Sequence, residues 1–316
     1  MSEFIDPPKT ANTNCTAEQY EADYARSLSD PDGFWLEQAK RLDWIDQPTK
    51  GGEWSFDPVE IKWFADGTLN LCHNAVDRHL ATRASQAALV AISTETDTER
   101  SYSFAELHAE VQRMAAVLLG LGVGQGDRVL IYMPMIAEAA FAMLACARIG
   151  AIHSVVFGGF ASGSLASRIE DAEPKVVVSA DAGSRGGKVV AYKPLLDEAI
   201  RLSKHKPQSV LLVDRGLAPM ELTAGRDQLW APLRDKHLNT QVPCAWLDAT
   251  HISYTLYTSG TTGKPKGVQR DTGGYAVALA ASMKYIFEGR PGETYFSTSD
   301  IGWVVGHSYI IYGPLI

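Results

Sequence analysis

The sequence predicts an α/β domain in which helices cover both faces of a doubly wound parallel sheet. Short runs rich in Val, Ile and Leu alternate with helical segments of about 10–15 residues. The runs are apolar without interruption, and a strand that is apolar on both faces has to be covered on both faces. A succession of βαβ units provides that cover.

The first 65 residues differ from the rest of the chain because they hold four of the seven tryptophans without strand periodicity. These four are Trp35, Trp44, Trp54 and Trp63. We predict short helices and loops that pack aromatic rings onto a larger body, with stacking on a ligand as the alternative. We therefore expect an N-terminal cap over residues 1–65 and the first part of a larger domain over residues 66–316.

The regular pattern begins with a helix whose first turn carries a capping box, Ser103 followed by Glu106. Apolar residues at helical spacing continue that helix from Phe104 to Leu121. The strands predicted beyond it cover residues 128–133, 151–157, 175–180 and 209–214. The helices predicted between them cover residues 136–149, 163–172 and 192–204. Residues 215–250 carry scattered glycines and prolines and predict an irregular surface excursion.

Composition and charge exclude several classes of protein. The chain has 46% hydrophobic and 21% charged residues and a net charge of −8, which argues against non-specific binding of nucleic acid or anionic lipid. It has no apolar run of about 18 residues, and its N-terminus has acids and prolines where a signal peptide is basic and apolar, so we expect a cytoplasmic protein. A polyanionic ligand would need a local basic site.

Cysteines and histidines indicate no metal site and no catalytic residue. The four cysteines are far apart in the sequence and form no C-x-x-C pair, so we predict ordinary thiols. His153 lies in an apolar strand and is expected in the core. His307 could line a pocket beside Trp303, but nothing pairs it with a nucleophile and a carboxylate. Magnesium would arrive with a nucleotide and be held largely by its phosphates.

One glycine-rich loop follows a β-rich run and has the composition of a phosphate-binding loop. Its candidate ligands are Thr258, Ser259, Gly260, Thr261, Thr262, Gly263, Lys264, Lys266 and Gly267. Glycines let backbone N–H groups converge on one anion, hydroxyl groups add donors, and lysines supply charge. The loop is not a Walker A motif, because Pro265 follows Lys264 where Ser or Thr is required. A flexible hydroxyl-rich surface turn is the alternative.

Two further glycine clusters follow predicted strands and are expected at the ligand-binding edge of the sheet. The first contains Phe157, Gly158 and Gly159, and the second contains Arg185, Gly186, Gly187 and Lys188. We expect the two loops to be neighbours, with the cations holding a phosphate or, alternatively, forming a solvated basic turn. The cluster at 120–126 precedes a strand and is interpreted as a helix C-cap and turn.

The chain resembles a known family in several segments. Residues 257–267 read YTSGTTGKPKG and resemble the signature phosphate loop of the adenylate-forming enzymes. The segments FWLEQAKRLDW at 34–44, VFGGF at 156–160, the turn at 185–188 and SDIGWVVGHSY at 299–309 narrow the resemblance to AMP-forming short-chain acyl-CoA synthetases. The continuation at 267–275 is most similar to propionyl-CoA synthetases, and acetyl-CoA synthetases usually have threonine where this chain has Val305. The resemblance spans essentially the whole chain.

The resemblance implies a two-step ligation of a short-chain carboxylate, with propionate favoured and acetate possible. ATP and the acid would give an acyl-adenylate and pyrophosphate, and coenzyme A would then release AMP. The implied cofactors are ATP, Mg²⁺ and coenzyme A, and the implied partners are small molecules, with no nucleic acid and no membrane.

The resemblance also implies roles for the candidate residues. Residues 258–267 would hold the β- and γ-phosphates. Phe157, Gly158 and Gly159 would contact the coenzyme A nucleotide, and residues 185–188 its 3′-phosphate. Trp303, Val304 and Val305 would wall the acyl pocket.

The chain departs from the family in two ways. Lys188 stands where family members often have arginine. Lysine keeps the positive charge but lacks the bidentate geometry of arginine, so we expect a weaker contact. Family members are about twice as long, and their other half holds the adenine and ribose motifs and a lysine that promotes adenylation. The apolar run from Trp303 to Ile316, which we expect to be exposed, and the greater length of family members predict that the chain is part of a longer protein. Because the other half of family members holds these motifs, we expect the chain alone to have little turnover. A non-catalytic truncated product and a nucleotide- or coenzyme-A-binding module are the alternatives.

Overall fold

A computed structural model of the chain describes residues 15–258 and 265–316. The N-terminal part has two helices, α1 (Ala17–Ser29) and α2 (Pro31–Ala39), followed by an antiparallel hairpin of β1 (Gly52–Phe56) and β2 (Val59–Trp63). The predicted helices are therefore confirmed, whereas the hairpin was not predicted. Alternation of polar and apolar residues over only five positions in each strand is too short a signal to stand out from a loop.

Most of the N-terminal aromatic rings pack as predicted. Trp35, Trp44 and Trp63 lie against the main hydrophobic core, and the indole of Trp44 donates to the carbonyl of Ala39 at 2.8 Å. Trp54 does not pack, since 57% of its surface is exposed on the hairpin.

The next segment carries short elements and a second hairpin that the sequence pattern did not predict. Its elements are β3 (Thr68–Leu69), α3 (Leu71–Ala75), a 3₁₀ turn (Asp77–His79), α4 (Leu80–Arg83), β4 (Ala87–Ser93) and β5 (Thr98–Ser103). Strands β4 and β5 pair antiparallel. The connection between them brings a carboxylate to the candidate site.

The predicted alternation of strands and helices is confirmed from residue 103 onward. Ser103 and Glu106 form the capping box, with a 2.8 Å bond from the Ser103 N–H to the Glu106 carboxylate. The elements are α5 (Phe104–Gly120), β6 (Arg128–Tyr132), α6 (Ala137–Ile149), β7 (Ile152–Val155), α7 (Ser162–Ala172), β8 (Val176–Ala180), β9 (Ala182–Arg185), β10 (Lys188–Ala191), α8 (Tyr192–Leu202) and β11 (Ser209–Val213). The observed boundaries lie close to the predicted ones, except that the sequence pattern predicted only a turn where β9 and β10 lie.

The later part of the chain completes the sheet. Its elements are β12 (Asp227–Leu229), α9 (Trp230–Asp235), β13 (Leu247–Asp248), β14 (Ile252–Thr258), β15 (Lys266–Asp271) and α10 (Gly273–Tyr285). The irregular excursion predicted for residues 215–250 was thus partly wrong, because β12 pairs with β11 at the sheet edge and β13 pairs with β3. Strands of two or three residues have too few side chains to show a period.

The described residues place seven strands in the central sheet, in the order β12-β11-β8-β6-β7-β14-β15. All neighbouring pairs are parallel except β14 and β15. Val129 and Ile131 of β6 face a core that contains α5 and α6, whereas Leu130 and Tyr132 face a second core that contains α7 and α8. Helices on both faces make the sheet doubly wound, as predicted.

The apolar C-terminal segment folds as consecutive helical turns at Val304–Gly306, His307–Tyr312 and Gly313–Leu315. Ile311, Tyr312 and Leu315 are buried against the main core. The expectation of a wholly exposed apolar end was therefore wrong for this part of the segment, because long-range packing covers it. None of the helices in the described ranges combines the length and the hydropathy that crossing a membrane would take.

Candidate active site

A cavity of about 480 Å³ lies at the carboxyl ends of β6, β7 and β8. The chain leaves β6 toward β7 on one side and leaves β8 toward β11 on the other side, so the two connections diverge. Such a switch in strand order opens a crevice, which is where open α/β sheets bind ligands. Residues after all three strands line this cavity, including Pro134, Phe157 and Arg185.

The turn between β9 and β10 presents two cations. Gly186 and Gly187 have φ angles of 57° and 77°, and Arg185 pairs with Lys188 directly across the two-residue turn. Positive φ at both central positions is the requirement of a type I′ hairpin turn, which explains the two glycines. Residues directly opposite in a hairpin project to the same face, so both cations lie on one side.

The loop after β7 touches this turn, as predicted. Arg185 donates from Nη1 to the Gly159 carbonyl at 3.2 Å, and its guanidinium lies 5.9 Å from the centre of the Phe157 ring. A Cβ atom on Gly159 would lie 2.4 Å from the Phe157 ring and 2.9 Å from Arg185. The glycine therefore permits the close approach of the two loops.

Gly158 is enclosed by a tyrosine that no local pattern indicated. A Cβ atom at Gly158 would lie 2.2 Å from the hydroxyl oxygen of Tyr192, which is buried and packs its ring 4.8 Å from that of Tyr132. Burial raises the pKa of Tyr192 to about 12, so its hydroxyl stays neutral. Tyr192 thus forms a rigid wall of the cavity.

The segment after α10 reaches the cavity through Asp300. Its carboxylate lines the cavity and accepts from the Gly302 N–H at 2.7 Å, while burial raises the pKa of the carboxyl group. Trp303, Val304 and Val305 are 48%, 46% and 45% exposed, and the Trp303 ring lies 5.8 Å from the Phe157 ring. Of these three residues, Trp303 thus lies next to a lining residue of the cavity, and an acyl pocket walled by all three stays a prediction.

The candidate phosphate loop joins β14 to β15. Six of its predicted ligands lie outside the described residues: Ser259, Gly260, Thr261, Thr262, Gly263 and Lys264. Thr258 ends β14 and pairs with Lys266, whose side chain is exposed at the start of β15, and Gly267 pairs with Tyr257. The ends of the loop are therefore two strands of one hairpin.

Tyr257 holds the base of this hairpin against α7. Its hydroxyl donates to Asp171 at 2.5 Å, and the buried guanidinium of Arg168 lies 5.7 Å from its ring and 4.4 Å from the Phe160 ring. Because Phe160 belongs to the loop after β7, this contact joins the base of the phosphate loop to the edge of the cavity.

The two histidines singled out in the sequence, His153 and His307, both lie in the core. His153 bonds the Tyr312 hydroxyl through Nε2 at 2.7 Å, as expected of a core histidine. His307 is also fully buried, with its ring 5.4 Å from that of His153 and 4.7 Å from that of Tyr254. Burial lowers the pKa of His307 to about 4, so it is neutral, and the interpretation that it lines a pocket was wrong.

Two cysteines that are distant in the sequence meet in space. Cys72 and Cys244 contribute their sulfurs to a group with the Asp77 carboxylate in which all three atoms lie within 4.8 Å of one another. Arg148 donates to both oxygens of Asp77 at 2.8 and 2.9 Å. Separation along the sequence was thus no guide to their distance. The guanidinium already neutralises the carboxylate, and the two sulfurs do not suit Mg²⁺, which takes oxygen ligands.

A carboxylate that lines the cavity and its ion-pair partner were missed altogether. Glu95 lies between β4 and β5, and Arg215 follows β11; they form an ion pair next to the β9–β10 hairpin. No local sequence signal could have found Glu95 and Arg215, because each lies in a loop and its ion-pair partner is distant in the sequence.

Comparisons with known proteins agree with this geometry. Residues 76–316 match the family model described as AMP-binding enzyme, and residues 20–75 match the model described as acetyl-coenzyme A synthetase N-terminus. The chain is 60% identical over 293 residues to a propionate–CoA ligase of Salmonella typhimurium and 59% identical to one of Escherichia coli, with 93% of the chain and 46% of each relative covered. It is 49% identical over 300 residues to an acetyl-coenzyme A synthetase of Methylobacterium radiotolerans, with 94% of the chain and 46% of the relative covered. The chain thus spans about half the length of the curated relatives it matches.

Proposed function

The chain belongs to the AMP-binding enzyme family, and we propose that it forms the N-terminal part of an ATP-dependent, AMP-forming ligase that joins a short-chain carboxylic acid to coenzyme A. In the first step, a carboxylate oxygen attacks the α-phosphorus of ATP and pyrophosphate leaves. In the second, the coenzyme A sulfur attacks the acyl carbon, the bond to AMP breaks, and the thiol proton is released.

The phosphate loop is assigned to the first step. Residues 258–267 hold the β- and γ-phosphates in this proposal, because backbone N–H groups, hydroxyl groups and the two lysines can meet the charge that develops on the leaving pyrophosphate. The contacts of Tyr257 with Asp171 and Arg168 support it, since they fix the strand from which the loop starts. Mg²⁺ enters with ATP as part of the substrate.

The β9–β10 turn is assigned to the 3′-phosphate of coenzyme A. Arg185 and Lys188 lie opposite each other with Gly186 and Gly187 between them, so both cations can approach one phosphate group. Lys188 offers a point charge and not a bidentate fork, which makes its contact the weaker of the two. Phe157, Gly158 and Gly159 contact the nucleotide part of coenzyme A in the same cavity.

Propionate is the proposed acid, with acetate as a second substrate. Trp303, Val304 and Val305 form the wall that selects the acid in this proposal. The higher identity to the two propionate–CoA ligases than to the acetyl-coenzyme A synthetase supports that choice. One methylene group discriminates by only about 1–3 kcal/mol, so some use of acetate is expected.

The observation that carries the proposal is the cavity at the switch point, which is lined by Gly158, Gly159 and Arg185, with Arg185 bonded to the Gly159 carbonyl. The test is propionate-dependent exchange of radiolabelled pyrophosphate into ATP, in a form extended to the relatives' length and in the 316-residue chain. We expect exchange in the extended form and little in the chain alone. Robust turnover by the chain alone would contradict the second expectation.

The phosphate loop is tested in the same assay. Replacing Lys264 and Lys266 with alanine is expected to lower exchange by about 100-fold, because charge at the developing pyrophosphate is lost. Lys204→Ala is the matched control, since its side chain is 90% exposed and lies beyond α8. Equal exchange in the double variant and the control would remove the loop from the mechanism. Binding of coenzyme A without exchange in the extended form would favour a binding module.

A further inference from the structure

The β9–β10 hairpin that carries Arg185 and Lys188 needs support from outside. In the described part of the chain, β9 and β10 pair only with each other and form a two-stranded sheet apart from the central one. An isolated two-stranded hairpin is at best marginally stable in water. The direction in which the two cations point is therefore set by the contacts that other segments make with this hairpin.

Glu95 makes one of these contacts. It lies in the connection between β4 and β5, and its Oε1 accepts from the backbone N–H of Ser184 at 2.6 Å. Ser184 directly precedes Arg185, so this bond holds the hairpin one residue from the cation. Glu95 also lines the cavity, and its side chain is 21% exposed.

Arg215, in the segment that follows β11, makes another of these contacts. Its Nη1 donates to the Ala182 carbonyl at 3.0 Å, at the start of β9, and its Nη2 donates to the Ser93 hydroxyl at 3.1 Å. It forms an ion pair with Glu95, and its side chain is only 8% exposed. The pair thus joins three segments, the β4–β5 connection, β9 and the residues after β11.

We propose that Glu95 and Arg215 are positioning residues that hold the β9–β10 hairpin so that Arg185 and Lys188 meet the 3′-phosphate of coenzyme A. This inference rests on the proposed function of the cavity. Glu95 is negatively charged and does not bind a phosphate itself, so it acts through its bond to the Ser184 N–H. Arg215 neutralises that carboxylate and prevents it from repelling the anion.

The charge of the Glu95 carboxylate predicts an order of coenzyme A affinities among the variants that a general loss of structure would not produce. Arg215→Met leaves the Glu95 carboxylate unpaired beside the phosphate site, so it is expected to weaken coenzyme A binding more than the double variant Glu95→Gln/Arg215→Met. Glu95→Gln alone keeps an oxygen that accepts from Ser184 and is expected to retain most of the affinity. Glu95→Ala loses that bond.

The test is calorimetric titration of the chain with coenzyme A and with 3′-dephospho-coenzyme A, which lacks only the phosphate in question. We expect Glu95→Ala to bind coenzyme A about tenfold more weakly, because a charge-assisted contact to the phosphate is lost, and to bind the dephospho form within about twofold of wild type. Retained affinity for the dephospho form also shows that the variant is folded. Glu198→Ala is the control, since it removes an exposed carboxylate of α8 that pairs with Arg201.

Each other outcome overturns the inference in a distinguishable way. If wild type binds both ligands equally, or neither, the proposed coenzyme A site fails and the inference fails with it. If wild type discriminates and Glu95→Ala discriminates equally, the positioning role alone is refuted. Equal weakening of both ligands by Glu95→Ala would mean that Glu95 supports the fold in general and does not position the cations.

Discussion

Replacing Gly158 with alanine tests how tightly the wall of the cavity is built. The new Cβ would lie 2.2 Å from the Tyr192 hydroxyl oxygen and 2.8 Å from the ring carbon that bears it. The first distance is roughly 1 Å short of an ordinary contact between carbon and oxygen. Tyr192 cannot turn away freely, because it packs on the Tyr132 ring and its hydroxyl lies next to the backbone of Gly183.

The cost of this overlap follows from the packing. Forcing an extra methyl group into a packed site costs about 1–3 kcal/mol. We expect the free energy of unfolding to fall by this amount, and the loop of residues 157–159 to shift by roughly the missing 1 Å. If that loop binds coenzyme A as proposed, the affinity falls about tenfold, which corresponds to about 1.4 kcal/mol.

Urea unfolding and titration with coenzyme A measure the two effects. Gly158→Ala/Tyr192→Phe is expected to recover part of the stability, since it deletes the oxygen at 2.2 Å and leaves the ring carbon at 2.8 Å. Gly163→Ala is the matched control, because in the described part of the chain nothing beyond its chain neighbours and its own helix backbone lies within 4 Å of the position that its new methyl group would take. Alanine also favours a helix by about 1 kcal/mol over glycine. A Gly158→Ala variant with wild-type stability and wild-type affinity would refute the reasoning.

Three further predictions concern the stability of the fold. Asn70 caps α3 and its buried amide donates to three carbonyl groups at 2.6–3.2 Å, so Asn70→Ala is expected to lower the free energy of unfolding by about 3 kcal/mol in urea; a loss below about 1 kcal/mol would contradict this. Burial lowers the pKa of His79 and of His307 to about 4, so the folded chain favours their neutral forms. Their stabilising contribution is complete above about pH 6.5 and is lost as the pH falls toward 4. The free energy of unfolding then falls by up to about 1.4 kcal/mol per pH unit for each histidine. Urea midpoints that stay constant between pH 7 and 5 would argue against this prediction. Burial raises the pKa of Asp271 to about 6, so its contribution is favourable at low pH and is lost as the pH rises through 6. Asp271→Asn keeps an acceptor for the Tyr275 N–H and is expected to unfold at higher urea than wild type at pH 7.5 but not at pH 4; the same difference at both pH values would contradict the assigned cause.

Several elements could be predicted from the sequence because their causes are local. The capping box at Ser103 and Glu106 depends on residues three apart, and the turn at Gly186 and Gly187 depends on two φ angles that glycine adopts without strain. The uninterrupted apolar strands β6, β8 and β11 indicated a sheet covered on both faces. That inference in turn placed the Gly158 and Arg185 loops at one edge.

The features that sequence reasoning missed depend on long-range packing. Strands β1 and β2 are short and their apolar residues Phe56 and Val59 remain exposed, so no burial pattern marked them. Cys72 and Cys244 looked unrelated until the fold brought their sulfurs together beside Asp77.

Local chemistry along the chain was enough to indicate which segments become strands, helices and anion-binding turns, because periodicity, caps and glycine conformations act over a few residues. The convergence of Glu95 and Arg215 beneath the β9–β10 hairpin, and the wall that Tyr192 makes against Gly158, arise only when the crossover connections pack on the sheet. Each of these contacts joins groups that are distant in sequence, and their distance is set by how helices and hairpins fill the space around the sheet and not by any spacing in the chain.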